Sequence, residues 1–152
     1  DYQPLAVEQY VRLELPDHPR DLVGVIDLMD DQDRVIDFKT AGRKKSQTDA
    51  DTSTQLTVYA AAHKRLTGRD ATEVRLDTVV KTKTKTTRDV VSSTRGAADF
   101  NALANRVNVI TYAIESGTFT PATPGTWWCS QKFCGYWDTC PFVNSEREEK
   151  SK

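Results

Sequence analysis

Asp27, Asp37 and Lys39 are the residues whose types and spacing could do chemistry. The stretch from Leu22 to Thr40 reads Leu-Val-Gly-Val-Ile-Asp-Leu-Met, an acidic turn (Asp30-Asp31-Gln32-Asp33), then Val-Ile-Asp-Phe-Lys-Thr. Apolar runs bounded by turn residues read as strands. Residues i and i+2 of a strand share a face, so Asp37 and Lys39 project together and Phe38 points away. If the two strands pair in the right register, Asp27 joins them. Two carboxylates and an amine on one sheet face suit a hard divalent cation, which takes oxygen ligands and leaves room for water and a substrate phosphate. The amine could orient the attacking water or steady developing negative charge. Gly24 beside them would allow close approach of a substrate backbone or a helix. The plainer reading of the same residues is a hairpin with an exposed Asp–Lys ion pair.

Three further groups could carry chemistry. Gln55 and Tyr59 are four apart on an expected helix and so share a face, either reaching toward the carboxylates or serving as surface and core. Cys129, Cys134 and Cys140 fall within twelve residues. Iron–sulfur cubanes and structural zinc both want four soft ligands, so a fourth ligand outside the segment, a non-cysteine ligand, or three free thiols are the alternatives. Lys81, Lys83 and Lys85, with Arg88 and the run Arg43-Lys44-Lys45, could track a nucleic-acid backbone. Equally, they could guard an edge strand against pairing. His18 and His63 have no ligand-like spacing and read as surface residues.

The elements that must position these groups follow from periodicity. Alternation over residues 5–15 predicts a strand, closed by a turn at Pro16 to Arg20. Strands at 22–29 and 34–40 complete a three-strand meander, and 41–51 reads as a polar, basic loop. Ser53 or Thr54 caps a helix to about Leu66 that Gly68 stops, with Gln55, Tyr59, Ala62 and Leu66 on one face. Residues 73–85 predict a strand with its three lysines on one side. Asp99 to Glu115 predicts a second long helix with Phe100, Leu103, Val107, Ile110 and Ile114 as its apolar stripe, ended by Gly117. The tail from Phe119 to Pro141 has no regular period, and its aromatic residues could shield a cluster or form a core. Residues 144–152 read as a frayed, charged terminus. This order predicts an α/β fold, a mixed sheet flanked by helices with a cysteine-rich irregular tail. The expected organisation is one domain over 1–143 and a charged tail over 144–152.

Composition sets the bounds. The chain has 152 residues, 28% charged and 38% hydrophobic, the balance of an ordinary globular protein. No apolar stretch is long enough to span a bilayer and no signal-peptide pattern opens the chain, so no membrane partner and a cytoplasmic location are expected. A net charge of −1 gives no global field for nucleic acid, leaving only local basic patches. An odd cysteine count argues against a disulfide framework.

Taken together, Gly24-x-x-Asp27, then Asp37-x-Lys39, then Gln55-x-x-x-Tyr59 resembles the RecB-like branch of the PD-(D/E)xK nuclease superfamily. Val7-Glu8 is similar to that branch's lead-in strand, and Leu76-Asp77-Thr78-Val79-Val80-Lys81-Thr82-Lys83 to its later strand. The tail, Trp128-Cys129 through Phe133-Cys134-Gly135-Tyr136-Trp137 to Cys140-Pro141, resembles the iron–sulfur members. These include CRISPR-associated adaptation nucleases, AddB-type helicase–nucleases and phage exonucleases. Ile26-Asp27 stands where the signature has Pro-Asp, and Asp37 where Glu is frequent.

The resemblance implies a restriction-endonuclease-like core and a Mg²⁺- or Mn²⁺-dependent deoxyribonuclease, an exonuclease or end-trimming enzyme acting on single strands or duplex ends. It implies Asp27, Asp37 and the carbonyl of Phe38 as metal ligands and Lys39 as the catalytic lysine. Gln55 and Tyr59 would position DNA or the lysine, and Glu8 would support the metal shell through water. Cys129, Cys134 and Cys140 would bind a [4Fe-4S] cluster whose fourth ligand lies outside the segment, since the chain starts at Asp1 and an upstream helix is expected. DNA is the implied partner, with a further protein in a DNA-processing complex. A non-catalytic nucleic-acid-binding or assembly module on the same fold, and a zinc-binding domain with ordinary surface carboxylates, are the alternatives.

Overall fold

The computed structural model describes residues 2–15, 20–123, 125–140 and 142. His18, Pro141 and the predicted frayed terminus at 144–152 lie outside them, as does most of the turn expected after the first strand. The chain forms two compact units, Asp1–Thr111 and Tyr112–Lys152. Among the described residues no helix is long and apolar enough to cross a membrane.

The first unit is built on five strands lying side by side in chain order: β1 (Pro4–Leu13), β2 (Leu22–Asp30), β3 (Arg34–Ala41), β4 (Glu73–Lys81) and β5 (Thr86–Ser93). All neighbours are antiparallel except β3 and β4, which run parallel with Asp37 beside Leu76 and Lys39 beside Thr78. A parallel pair needs a long crossover, and here it carries α1 (Gln47–Asp51) and α2 (Thr54–Thr67). The sheet is therefore mixed, as expected.

The boundaries of α2 are chemically marked. The Ser53 side chain accepts from the Leu56 N–H, and Gly68 closes the helix at φ 74°, a left-handed conformation that costs glycine little. Leu56, Tyr59, Ala60 and Ala62 join Val11, Ile26, Met29, Val35, Val74 and Leu76 in the core.

Several expectations need correction. Within 41–51 lies α1, whose Ser46 forms a reciprocal capping box with Asp49. Leu66 is exposed rather than part of the buried face, and His63 is buried rather than on the surface. Its Nε2 lies 3.2 Å from Asp33 Oδ1 and its Nδ1 3.2 Å from the Arg69 carbonyl, so the imidazole ties α2 to the β2–β3 turn. The strand predicted for 73–85 ends at Lys81, and the chain turns back through Thr82–Lys85 into β5.

The second long helix, α3 (Ala97–Glu115), also departs from its predicted stripe. Leu103 is buried and Phe100 packs on the core. Ile110 and Ile114 are exposed, and the other buried position is Thr111.

One local irregularity bears on the site. Ile26 and Met29 are three residues apart, yet both belong to the core, which strict strand alternation forbids. Val11 and Ala6, five apart on β1, repeat the anomaly. Between them Glu8 adopts φ 48°. The registers Val7–Leu28 and Gln9–Ile26 leave Glu8 opposite Asp27. Both strands change faces there. A left-handed conformation costs a non-glycine residue roughly 1–2 kcal/mol, and asparagine tolerates it best. Glu8→Asn should therefore raise stability by about 0.5–1 kcal/mol, read by denaturant unfolding.

In the second unit the Trp127 ring meets Trp128 and Phe133 edge-on at 5.4 and 5.2 Å, and a single 3-10 turn spans Trp137–Thr139. The five rings of Trp127, Trp128, Phe133, Tyr136 and Trp137 form no buried core among the described residues.

Candidate active site

The Asp27–Asp37–Lys39 group sits where the sheet opens. The β2–β3 ladder pairs Leu28 with Ile36 and Met29 with Val35. Just beyond it the Asp27 carboxylate reaches across and accepts the Phe38 N–H at 2.7 Å. A side chain thus replaces the next rung, and the parted strands expose Phe38.

Asp37 is 1% exposed. Burial pushes its carboxyl above the usual range, against the opposing pull of Lys39, with Asp27 adding repulsion and Lys45 attraction. Lys39 Nζ lies 3.1 Å from Asp37 Oδ1 and 2.8 Å from Oδ2. The contact to Oδ2 is a charge contact without hydrogen-bond geometry, because that oxygen is buried with no hydrogen-bond partner. A buried carboxylate oxygen without a hydrogen-bond donor is costly; the Lys39 ammonium offsets part of that cost by charge, and a metal cation could take up the rest.

From Lys39 a chain of polar contacts climbs onto α2. Lys39 Nζ donates to Gln55 Oε1 at 3.0 Å, and Gln55 Nε2 donates to the Tyr59 hydroxyl at 2.9 Å. One helical turn separates the two residues, which explains the i, i+4 spacing. Gly24 completes the arrangement from below. A Cβ there would stand 3.4 Å from Tyr59 Cε1, so the close approach expected of this glycine is made by the α2 ring.

All five side chains singled out in the sequence are thus brought together, with Gly24 under Tyr59. Because Gln55 holds the amine while Tyr59 holds Gln55, Gln55→Leu should release Lys39. Any activity that depends on this amine should fall roughly 10–100-fold, the range for lost positioning, with folding unchanged by circular dichroism.

The two carboxylates and the backbone carbonyl of Phe38 suit a hard divalent ion whose remaining positions go to water and phosphate. Among the described residues no group of three His, Cys, Asp or Glu side chains gathers as a ready-made metal site. Cys129, Cys134 and Cys140 are free and half-exposed and do not gather into such a group, so the structure gives no support to the cluster expected on the tail.

Other features carried weaker sequence signals. A cleft of about 260 Å³ opens beside the start of α2, lined by Thr54, Thr57, Leu103 and Arg106 among others. Asp27 and Asp37 are not among its lining residues. Lys44 pairs with Asp89 of β5 at 2.9 Å, bringing the 42–46 loop against the sheet. Only its basic run hinted at this.

A family model for the PD-(D/E)XK nuclease superfamily matches residues 1–141. The chain belongs to the PD-(D/E)XK nuclease superfamily. The match spans both units and nearly all the described residues, so the mixed sheet and its flanking helices are those of a nuclease fold. Among solved structures, the chain is similar to a protein from Eubacterium rectale described as a candidate exonuclease. The TM-score is 0.57 at 13% identity, covering 94% of this chain and 55% of that one. The chain therefore spans about half of that protein's length, and the likeness is one of fold. No curated protein matches the chain. The more specific iron–sulfur branch finds no support in these comparisons.

Proposed function

We propose that the protein is a metal-dependent deoxyribonuclease that trims DNA from ends. The observation that carries this reading is the Asp37–Lys39–Gln55 arrangement. A buried carboxylate oxygen lacks a hydrogen-bond partner, and beside it a lysine is held between that carboxylate and a helix amide. Asp27, Asp37 and the Phe38 carbonyl would hold Mg²⁺ or Mn²⁺. Bound there, the ion would supply a water of lowered pKa and charge neutralisation at phosphorus.

The chain's own residues do the rest. Lys39 stands beside the carboxylates, where it can orient the attacking water and meet charge developing on the phosphoryl oxygens. Gln55 fixes the amine, and Tyr59 fixes Gln55. The buried face of Asp37 keeps bulk water from competing for the carboxylate, and the half-exposed Lys39 and exposed Gln55 leave their side accessible to a polymer. Free cysteines suit a reducing, cytoplasmic setting.

The test is a Mn²⁺-dependent digest of linear and circular single-stranded DNA. Linear DNA should shorten and circular DNA should persist, while Lys39→Ala should leave both intact. Retarded migration of DNA without shortening would instead assign a binding or assembly module. Iron and sulfide analysis of anaerobically purified protein tests the tail separately, and stoichiometric iron would place the chain in the iron–sulfur branch.

A further inference from the structure

We infer that the β4–β5 hairpin, Lys81 to Lys85, together with Arg43 and Lys45 of the loop after β3, forms the track for the phosphate backbone of the DNA strand leaving the cleavage centre. This rests on the nuclease reading and adds the direction in which the substrate lies. The first observation is topological. Because β3 and β4 are parallel, the loop after β3 and the hairpin after β4 emerge at the same end of the sheet. In open α/β sheets the carboxyl ends of parallel strands are where ligands bind.

The second observation is electrostatic. Among the described residues, Arg12, Arg34, Lys39, Lys44, Lys64, Arg69, Arg75 and Arg88 each lie within 4 Å of a carboxylate. No such ion pair involves Arg43, Lys45, Lys81, Lys83 or Lys85, and the three hairpin lysines are exposed. Of the acids at this end, Asp89 pairs with Lys44, and Asp49 is held by the Ser46 cap with Lys45 and Arg43 acting on it only as neighbouring charges. Arg43 and Lys45 follow Lys39 by four and six residues along the chain, so the loop that carries them leaves directly from the strand that carries the centre.

The third observation removes the competing explanation. Lysines guard edge strands, but the edge here is β5, and β4 is interior. Lys83 and Lys85 sit in the turn, where they protect no ladder.

The spacing gives a length. Lys81 is five residues beyond the level of Asp37, about 17 Å at strand rise. That corresponds to roughly five nucleotides of duplex along one strand.

The experiment is fluorescence anisotropy of labelled single-stranded DNA on the full chain in chelator, across a salt series, for wild type and K81Q/K83Q/K85Q. R12Q/K64Q/R65Q removes three charges elsewhere as the control. Each phosphate contact contributes a slope of about −0.7 in log K against log salt. The hairpin variant should therefore flatten the slope by about 2, and oligonucleotides of two or three residues should not distinguish it from wild type. An unchanged slope, or an equal loss in the control, overturns the track while wild-type cleavage leaves the nuclease reading standing. Wild-type protein that neither binds nor cuts DNA overturns both.

Discussion

Asp37→Asn is expected to abolish the proposed metal-dependent cleavage, by at least about 10³-fold, the scale of losing an essential charge-stabilising group, while making the folded protein more stable. The two effects share a cause. Asp37 is almost fully buried, and burial raises its carboxyl pKa despite Lys39 beside it. A group whose folded pKa lies above its unfolded value contributes stability below the unfolded pKa and loses it as pH rises through the folded one. Wherever it is ionised, Asp37 therefore opposes folding. A neutral isostere relieves that cost, and Lys39, about one-third exposed, retains water and Gln55. A gain of about 1 kcal/mol is expected, as is usual when a strained functional site is neutralised. Thermal melting of metal-free wild type and variant checks it, and the difference should vanish at acidic pH, where Asp37 is protonated. A variant that is inactive and less stable would contradict the assignment of this oxygen as a cation-binding site.

The second large effect lies elsewhere in the same sheet and has the opposite sign. Asp77 accepts hydrogen bonds from Arg88 and from the Tyr2 hydroxyl. The Arg34, Arg75 and Arg88 guanidinium carbons lie 5.3–5.6 Å from the Tyr2 ring centre. Arg88 holds the Asp77 carboxyl below the usual range, as Arg69 does for Asp33. A depressed folded pKa contributes stability above the unfolded value near 3.9 and loses it as pH falls through the folded pKa. Acid should therefore loosen this cluster below about pH 4. Asp77→Ala should remove that contribution at neutral pH, costing about 2 kcal/mol for a buried, charge-assisted network. That is a fall of roughly 4–8 °C in melting temperature. A shallower acid transition in the variant than in wild type would attribute the effect to this carboxylate.

Much of the centre was legible because its elements obey simple periods. Asp37 and Lys39 share a face by strand alternation, Gln55 and Tyr59 share one by helical spacing, and Ser53 and Gly68 mark the ends of α2 by capping chemistry. What escaped was set by tertiary context. Helix α1 is five residues long, too short for a hydrophobic period, though Ser46 and Asp49 carried its capping box. Strand β5 has few apolar residues because it lies at the edge, so its lysine-flanked start read as an extension of β4. His63 looked like a surface residue because its two polar partners, Asp33 and the Arg69 carbonyl, are brought to it only by the fold. The exposed Ile110 and Ile114 show that an apolar stripe on a helix does not by itself say what covers it. Asp27 was placed beside Asp37 only conditionally on register. Its actual position depends on a face change opposite Glu8 that no alternation rule foresees.

The parting of β2 and β3 has a consequence for how the centre comes into being. Every side chain of the centre lies in one stretch of chain from Gly24 to Tyr59, and its contacts need only one hairpin and the first helix after it. β4 is then required to wall in Asp37 and β1 to pack beneath Gly24, yet neither supplies a polar group to the Asp37–Lys39–Gln55–Tyr59 chain. Contacts of short sequence separation cost little loop-closure entropy and form early. The catalytic geometry is therefore expected to belong to the first cooperative unit to fold, with hydrogen-exchange protection of Phe38 and Tyr59 amides appearing together and ahead of β5. Divergence of the polar hairpin tip could then retune what the centre acts on without disturbing how it is assembled.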